Sequence, residues 1–170
     1  MAVRLVGWYT RMFNKRPVVT QVITAGTLTT SGDIIAQLIE NRPTGYSFRR
    51  TAVMSCFGFC YFGPIVSNWL ILMKRLNFPS YVTIAVDQAF LGPCLLAGFL
   101  TIRPLLFGHS MEYSLKNLRG CYFNYLRRSY TVWIPAQTIN FYFIPHSGRM
   151  LFGQSIAFFW MMYLSYTTNI

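Results

Sequence analysis

Long apolar stretches alternate along the chain with short basic junctions, and five such runs stand out: Pro17 to Ile39, Thr51 to Met73, Tyr81 to Ile102, Tyr130 to Pro145 and Met150 to Tyr166. A helix needs about 20 apolar residues to cross a hydrocarbon core about 30 Å thick. The first three runs have that length. The second, free of charge for 23 residues between Arg49-Arg50 and Lys74-Arg75, is the clearest. The fourth is shorter and contains Pro135, so it reads either as a tilted span or as a re-entrant segment. Between the third and fourth runs the pattern changes. From Gly108 to Arg128, Met111, Leu115, Leu118, Tyr122 and Tyr125 recur at helical spacing, with Lys116, Asn117, Arg119 and Asn124 on the other positions. That pattern predicts an amphipathic helix over 108–128 lying among the headgroups. The fold expected is an all-α integral membrane protein in one domain, 1–170, built from four to five hydrophobic helices and this interfacial helix.

Polar residues interrupt the apolar runs at few places. The first run is rich in Thr, Ala, Gly and Ser, the residues of close helix contacts in membranes. Within it Asp33 and Gln37 stand four apart and share a face. The third run carries Asp87-Gln88, and the fourth carries Gln137 and Asn140 three apart, followed by Arg149. Gly63-Pro64 and Gly92-Pro93 lie inside the second and third runs, in the related texts "YFGPIVSNW" and "FLGPCLLAG". Proline removes a helix donor and crowds the preceding turn, so kinks are expected at Pro64, Pro93, Pro135 and Pro145.

Composition agrees with a membrane setting. Of 170 residues 54% are hydrophobic, 18% aromatic and only 11% charged, where a soluble domain carries about 25% charged residues. Fifteen Lys+Arg against four Asp+Glu give a net charge of +11. The basic residues cluster at the ends of apolar runs, which fits anchoring to anionic headgroups. Direct nucleic-acid binding is not expected, because the aromatics lie inside the runs and not on a basic face. The N-terminal residues 1–16, with Arg4, Arg11, Lys15 and Arg16 and no acid, read as a basic arm that is retained.

A charged residue such as Asp at the bilayer centre costs about 2.5 to 3.5 kcal/mol on insertion scales. Two of the four acids, Asp33 and Asp87, nevertheless fall inside predicted spans. Two readings remain open. Asp33, Gln37, Asp87, Gln88, Gln137, Asn140 and Arg149 either line a polar cavity or tie helices together through hydrogen bonds. Gln137 and Asn140 are expected to point toward the Asp33 and Asp87 helices and close one network. No catalytic constellation, cofactor motif or metal-ligand spacing is present in the sequence. Cys56, Cys60 and Cys94, inside apolar runs, read as small apolar side chains, and Cys121 lies outside those runs.

The stretch "WIPAQTINFYFIPHSGR" resembles the Trp-Pro-x-x-Gln-x-x-Asn-Phe-x-x-Val-Pro-x-x-x-Arg signature of the Mpv-seventeen and peroxisomal-membrane-protein-twenty-two family. "TAGTLTTSGDIIAQLIE" is similar to that family's first span with its Gly-Asp-x-x-x-Gln element, and "DQAFLGPCLL" to its Asp-Gln helix. "YFGPIVSNW" resembles its Gly-Pro-x-x-x-x-Trp helix, and "FFWMMYLS" its closing segment. Ile134 stands where the signature has proline, with Pro135 one position later, and Met161 replaces the asparagine after Trp160. The resemblance implies a mitochondrial inner-membrane protein, with the peroxisomal membrane as the alternative. It further implies a weakly selective channel linked to mitochondrial DNA and nucleotide supply and reactive-oxygen metabolism. The rival class is a non-conducting scaffold. The partners implied are the lipid bilayer, small solutes of unspecified kind and, in an oligomer, a second copy of the chain.

Overall fold

A computed structural model describes residues 2–40, 45–145 and 148–168, and every regular element among them is helical. Helix α1 spans Ala2–Lys15 and α2 spans Pro17–Glu40, with Arg16 alone between them. Helix α3 (Phe48–Phe57) runs through a π-helical turn (Gly58–Phe62) into α4 (Gly63–Leu76). Helix α5 (Ser80–Val86) likewise runs through a π-helical turn (Asp87–Leu91) into α6 (Gly92–Leu106). Helices α7 (Met111–Tyr142) and α8 (Arg149–Thr167) complete the chain.

Local chemistry accounts for the ends. The Ser47 hydroxyl accepts from the Arg50 amide at 3.3 Å and the Ser110 hydroxyl from the Tyr113 amide at 3.2 Å, so side chains cap α3 and α7. Asn77 ends α4 in the left-handed region, at φ 48°, with Lys74 and Arg75 in the last turn beside the helix's negative pole. Pro79 then starts α5.

Among the described residues three stretches are long and apolar enough to cross a membrane: Pro17–Glu40, Phe48–Leu76 and Ser80–Leu106, with 24, 29 and 27 residues. Helix α2 is the hub. It packs against α8 on one side and against α3, the first π-turn and α4 on another, while α6 packs against α7. Met54, Phe57, Phe99, Leu100, Met161 and Leu164 form the centre of the core. Ile23, Leu38, Leu70, Leu72, Phe90 and Phe159 are exposed on the outer surface, as lipid-facing side chains must be.

The structure departs from the expected division after the third run. The interfacial segment 108–128 and the short run 130–145 are not separate elements, because α7 continues from Met111 to Tyr142 over 32 residues. Arg127-Arg128 reads in the sequence as a junction, but arginine is a good helix former and does not break the backbone. The prolines also act in ways the sequence does not specify. Pro64 and Pro93 each follow a π-turn, whose closing glycine amide donates five residues back, Gly63 to Gly58 and Gly92 to Asp87. The helix therefore continues through both Gly-Pro pairs. Pro135 lies inside α7, and Pro145 lies beyond its end.

The α2 contact is close enough to require glycine. A Cβ on Gly63 would lie 2.8 Å from the Val22 Cα, and one on Gly32 would lie 3.2 Å from the Met162 amide nitrogen in α8. Backbone cannot yield as a flexible side chain can. Gly63→Ala should therefore destabilise the protein by about 1 to 3 kcal/mol in detergent unfolding. Gly120→Ala, in α7 with open space around its added methyl, should stabilise it by about 0.5 to 1 kcal/mol through helix propensity. Equal effects at the two sites would contradict the close approach of α2 and α4.

Candidate functional site

Two polar clusters lie inside the bundle. The first is built on the α2 face that carries Asp33, Gln37 and Glu40, positions that recur at one and two helical turns. Arg50, near the start of α3, reaches back to it. Its Nε donates to Asp33 Oδ1 at 2.9 Å, its Nη1 to Glu40 Oε2 at 2.7 Å and its Nη2 to Glu40 Oε1 at 2.8 Å. Nη2 also donates to the Ser165 carbonyl at 2.8 Å and the Ser165 hydroxyl at 3.0 Å, which brings in α8. The other Asp33 oxygen accepts from Thr51 Oγ1 at 2.7 Å and from Gln37 Nε2 at 2.8 Å. The Ser165 hydroxyl donates to Asp33 Oδ1 as well. Asp33 and Arg50 are both buried, and every polar atom of the two carries a partner.

The second cluster is sparser. Asp87 stands at the start of the second π-turn and is buried. Its Oδ1 accepts from the Trp69 indole N–H of α4 at 2.6 Å, and its Oδ2 accepts from Gln137 Nε2 of α7 at 3.3 Å. Asn140 Nδ2 donates to Gln137 Oε1 at 3.4 Å, while the buried Asn140 Oδ1 has no partner. Among the described residues no cation forms an ion pair with Asp87.

The expected single network is thus two separate ones. Gln137 meets Asp87 and Asn140 reaches it only through Gln137, but Asp33 and Gln37 belong with Arg50. Gln88 is partly exposed and stands outside both sets of bonds. Arg149 performs another task. Its Nε donates to the Ile144 carbonyl at 3.1 Å and its Nη2 to the Phe141 carbonyl at 2.9 Å, so it satisfies carbonyls at the end of α7. Two cavities among the described residues, of about 160 and 180 Å³, are lined by neither Asp33 nor Asp87.

Sequence reasoning missed Arg50, Glu40, Trp69 and Ser165, and also the pair in which Gln154 Nε2 donates to Gln21 Oε1 at 2.9 Å between α8 and α2. One signal was available for Arg50. Glu40 follows Asp33 by seven residues on the same helical face, just past the end of the first predicted span, and two carboxylates so placed demand a cation. No comparable pattern marks Gln154.

Residues 104–165 match the family profile described as the Mpv17 / PMP22 family. The mitochondrial inner membrane protein Mpv17 of Danio rerio is 37% identical over 168 residues, covering 95% of each chain. This chain belongs to the Mpv17 / PMP22 family. The Mpv17 protein of Xenopus laevis is 36% identical over 168 residues, again covering 95% of both chains. Peroxisomal membrane protein 2 of Bos taurus is 29% identical over 174 residues, 95% of this chain and 88% of its own. No solved structure matches the chain. In this Mpv17 / PMP22 chain the Gly-Asp-x-x-x-Gln text supplies the Arg50 cluster. The Gly-Pro-x-x-x-x-Trp and Asp-Gln texts meet each other through the bond between Trp69 and Asp87.

Two outcomes follow for this family member. Arg50→Met leaves two buried carboxylates without their cation and should cost about 3 to 5 kcal/mol in unfolding by mixed detergents. A loss below about 1 kcal/mol would show that the pair contributes little. In a double-mutant cycle, Asp87→Leu and Gln137→Leu should couple by about 0.5 to 3 kcal/mol, whereas Asp87→Leu and Asp33→Leu, which share no partner, should add within about 0.5 kcal/mol.

Proposed function

We propose that this protein is an integral protein of the mitochondrial inner membrane that provides a weakly selective passage for small solutes, with the Asp87, Gln137 and Asn140 cluster as its polar path. The observation that supports this reading is the contrast between the clusters. Around Asp33 every donor and acceptor is used within about one set of short bonds, as in a structural lock. Around Asp87 the carboxylate has only neutral donors, its one bond to α7 is long at 3.3 Å and Asn140 Oδ1 is unpartnered. Under-satisfied polar groups inside a membrane bundle are where water and solutes find partners. The π-turn that carries Asp87 adds to this, since such turns in helices are frequent at functional sites. The names of the Danio rerio and Xenopus laevis relatives favour the mitochondrial inner membrane, and that of the Bos taurus relative supplies the peroxisomal alternative.

A non-conducting scaffold is the second reading, and the closed Asp33 cluster favours it. In that case α7 and α8 cross the membrane beside the other three spans, and the polar groups only order the bundle. Planar-bilayer recording of the purified protein separates the two. The passage reading expects discrete conductance steps and a preference for cations that falls in Asp87→Asn while the protein stays folded. A folded wild-type protein that never conducts would leave the scaffold.

A further inference from the structure

Arg103, at the end of α6, is among the most deeply buried residues, with 1% of its surface exposed. Its Nη1 donates to the carbonyl of Thr168 and, at 2.9 Å, to the Thr168 hydroxyl. Its Nε and Nη2 are buried and have no partner. Those two nitrogens form one edge of the guanidinium, the edge that binds a carboxylate or phosphate through two parallel hydrogen bonds. The Phe99 and Phe107 rings lie 5.8 and 5.4 Å from the guanidinium carbon and offer only their faces. No carboxylate among the described residues is within ion-pair distance of Arg103, and the Asp33 and Glu40 oxygens that face α3 are taken by Arg50. A buried cation in this position calls for an anion.

Space for one is present. Arg103 lines a cavity of about 160 Å³ together with Asn117, Cys121 and Tyr125 of α7 and Thr167 and Thr168 at the end of α8. At about 30 Å³ per water in the liquid, that volume accepts a tetrahedral oxyanion with a few waters. The Asn117 carboxamide is held by two long bonds, its Nδ2 donating to the Leu100 carbonyl at 3.4 Å and its Oδ1 accepting from the Cys121 thiol at 3.8 Å, so its Nδ2 can turn to a third oxygen. A carboxylate would fill the guanidinium edge and leave Asn117 idle. The depth is also right, because the cavity lies where the span Ser80–Leu106 ends and the amphipathic half of α7 begins.

We propose that the Arg103 cavity binds a phosphate group, held by Arg103 Nε and Nη2 and by Asn117, and that the group comes from a lipid headgroup or from a soluble phosphate. The site is distinct from the Asp87 path and does not depend on conductance.

Cys121 gives a local readout, since it lines the same cavity. Cys56, Cys60 and Cys94 are exposed and can be changed to alanine, which leaves Cys121 as the only thiol. In neutral detergent, alkylation of Cys121 by a neutral maleimide and thermal unfolding would be followed with inorganic phosphate, with short-chain phosphatidylglycerol, with short-chain diacylglycerol, and with chloride at matched ionic strength. Slower alkylation and a raised unfolding temperature with inorganic phosphate identify a soluble anion. The same effects with phosphatidylglycerol alone identify the headgroup. Arg103→Lys keeps the charge but loses the paired edge and should weaken the effect at least about tenfold. Asn117→Leu, the variant to use if Arg103→Lys does not fold, should weaken it as well. Wild-type protein that neither phosphate source protects, or protection equal with diacylglycerol or chloride, overturns the proposal. So does full protection in a folded Arg103→Lys.

Discussion

Asp33 and Arg50 have to meet, and the positions of three helices follow from that. A carboxylate and a guanidinium buried in a bundle surrounded by lipid are costly singly, and the gain on pairing them depends on geometry good to a few tenths of an ångström. Asp33 fixes the rotation of α2, because the face that carries it must also present Gln37 and Glu40. Arg50 fixes the depth of α3, since its fork spans both Asp33 and Glu40. Ser165 brings in α8 through its carbonyl and its hydroxyl. Glycines on α2 and α4 then permit the backbones to approach as closely as the ion pair demands, with Gly32 of α2 against the Met162 backbone and Gly63 of α4 against Val22.

The Asp87 cluster is assembled by a different route. Trp69 is carried by α4, whose placement is inherited from α3, and Gln137 is carried by α7, whose placement is set largely by α6. Asp87 thus joins two halves of the bundle that are positioned by separate contacts. A long hydrogen bond of 3.3 Å from Gln137 to Asp87 is a natural outcome of such a junction. Arg149 steadies the far end of α7 by occupying two of its terminal carbonyls, so that helix can end before Pro145 without buried orphan acceptors.

Much of this architecture was legible in the sequence because apolar length is a direct physical requirement of a membrane. The three longest runs fall inside the three stretches able to span, and the polar residues singled out within runs are mostly those that face inward. The sequence was less informative where two physical effects leave the same trace. A basic pair marks a headgroup boundary at Lys74-Arg75, but Arg127-Arg128 is interior to α7 and Arg50 is a buried ion-pair member. Only the third dimension separates these cases, since each reads as arginine at the edge of an apolar run. The pairing of Gln21 with Gln154 spans 133 residues and leaves no local pattern at all.

The π-turn at Gly58–Phe62 also sets a phase. Buried positions along α3 come at 53/54 and 57/58, a step of four, and resume at 62/63, a step of five. One residue is in effect added to a turn, which rotates everything beyond it by about 100°. Nineteen steps separate Arg50 from Trp69. With one of them absorbed by the turn, the remaining eighteen make about five whole turns, and the two side chains fall in line along the same edge of the rod. If the turn tightened into regular α-helix with no residue lost, the rod would stay unbroken and still apolar. It would nevertheless put the guanidinium and the indole about a quarter-turn out of step, so the chain could satisfy one acid or the other but not both.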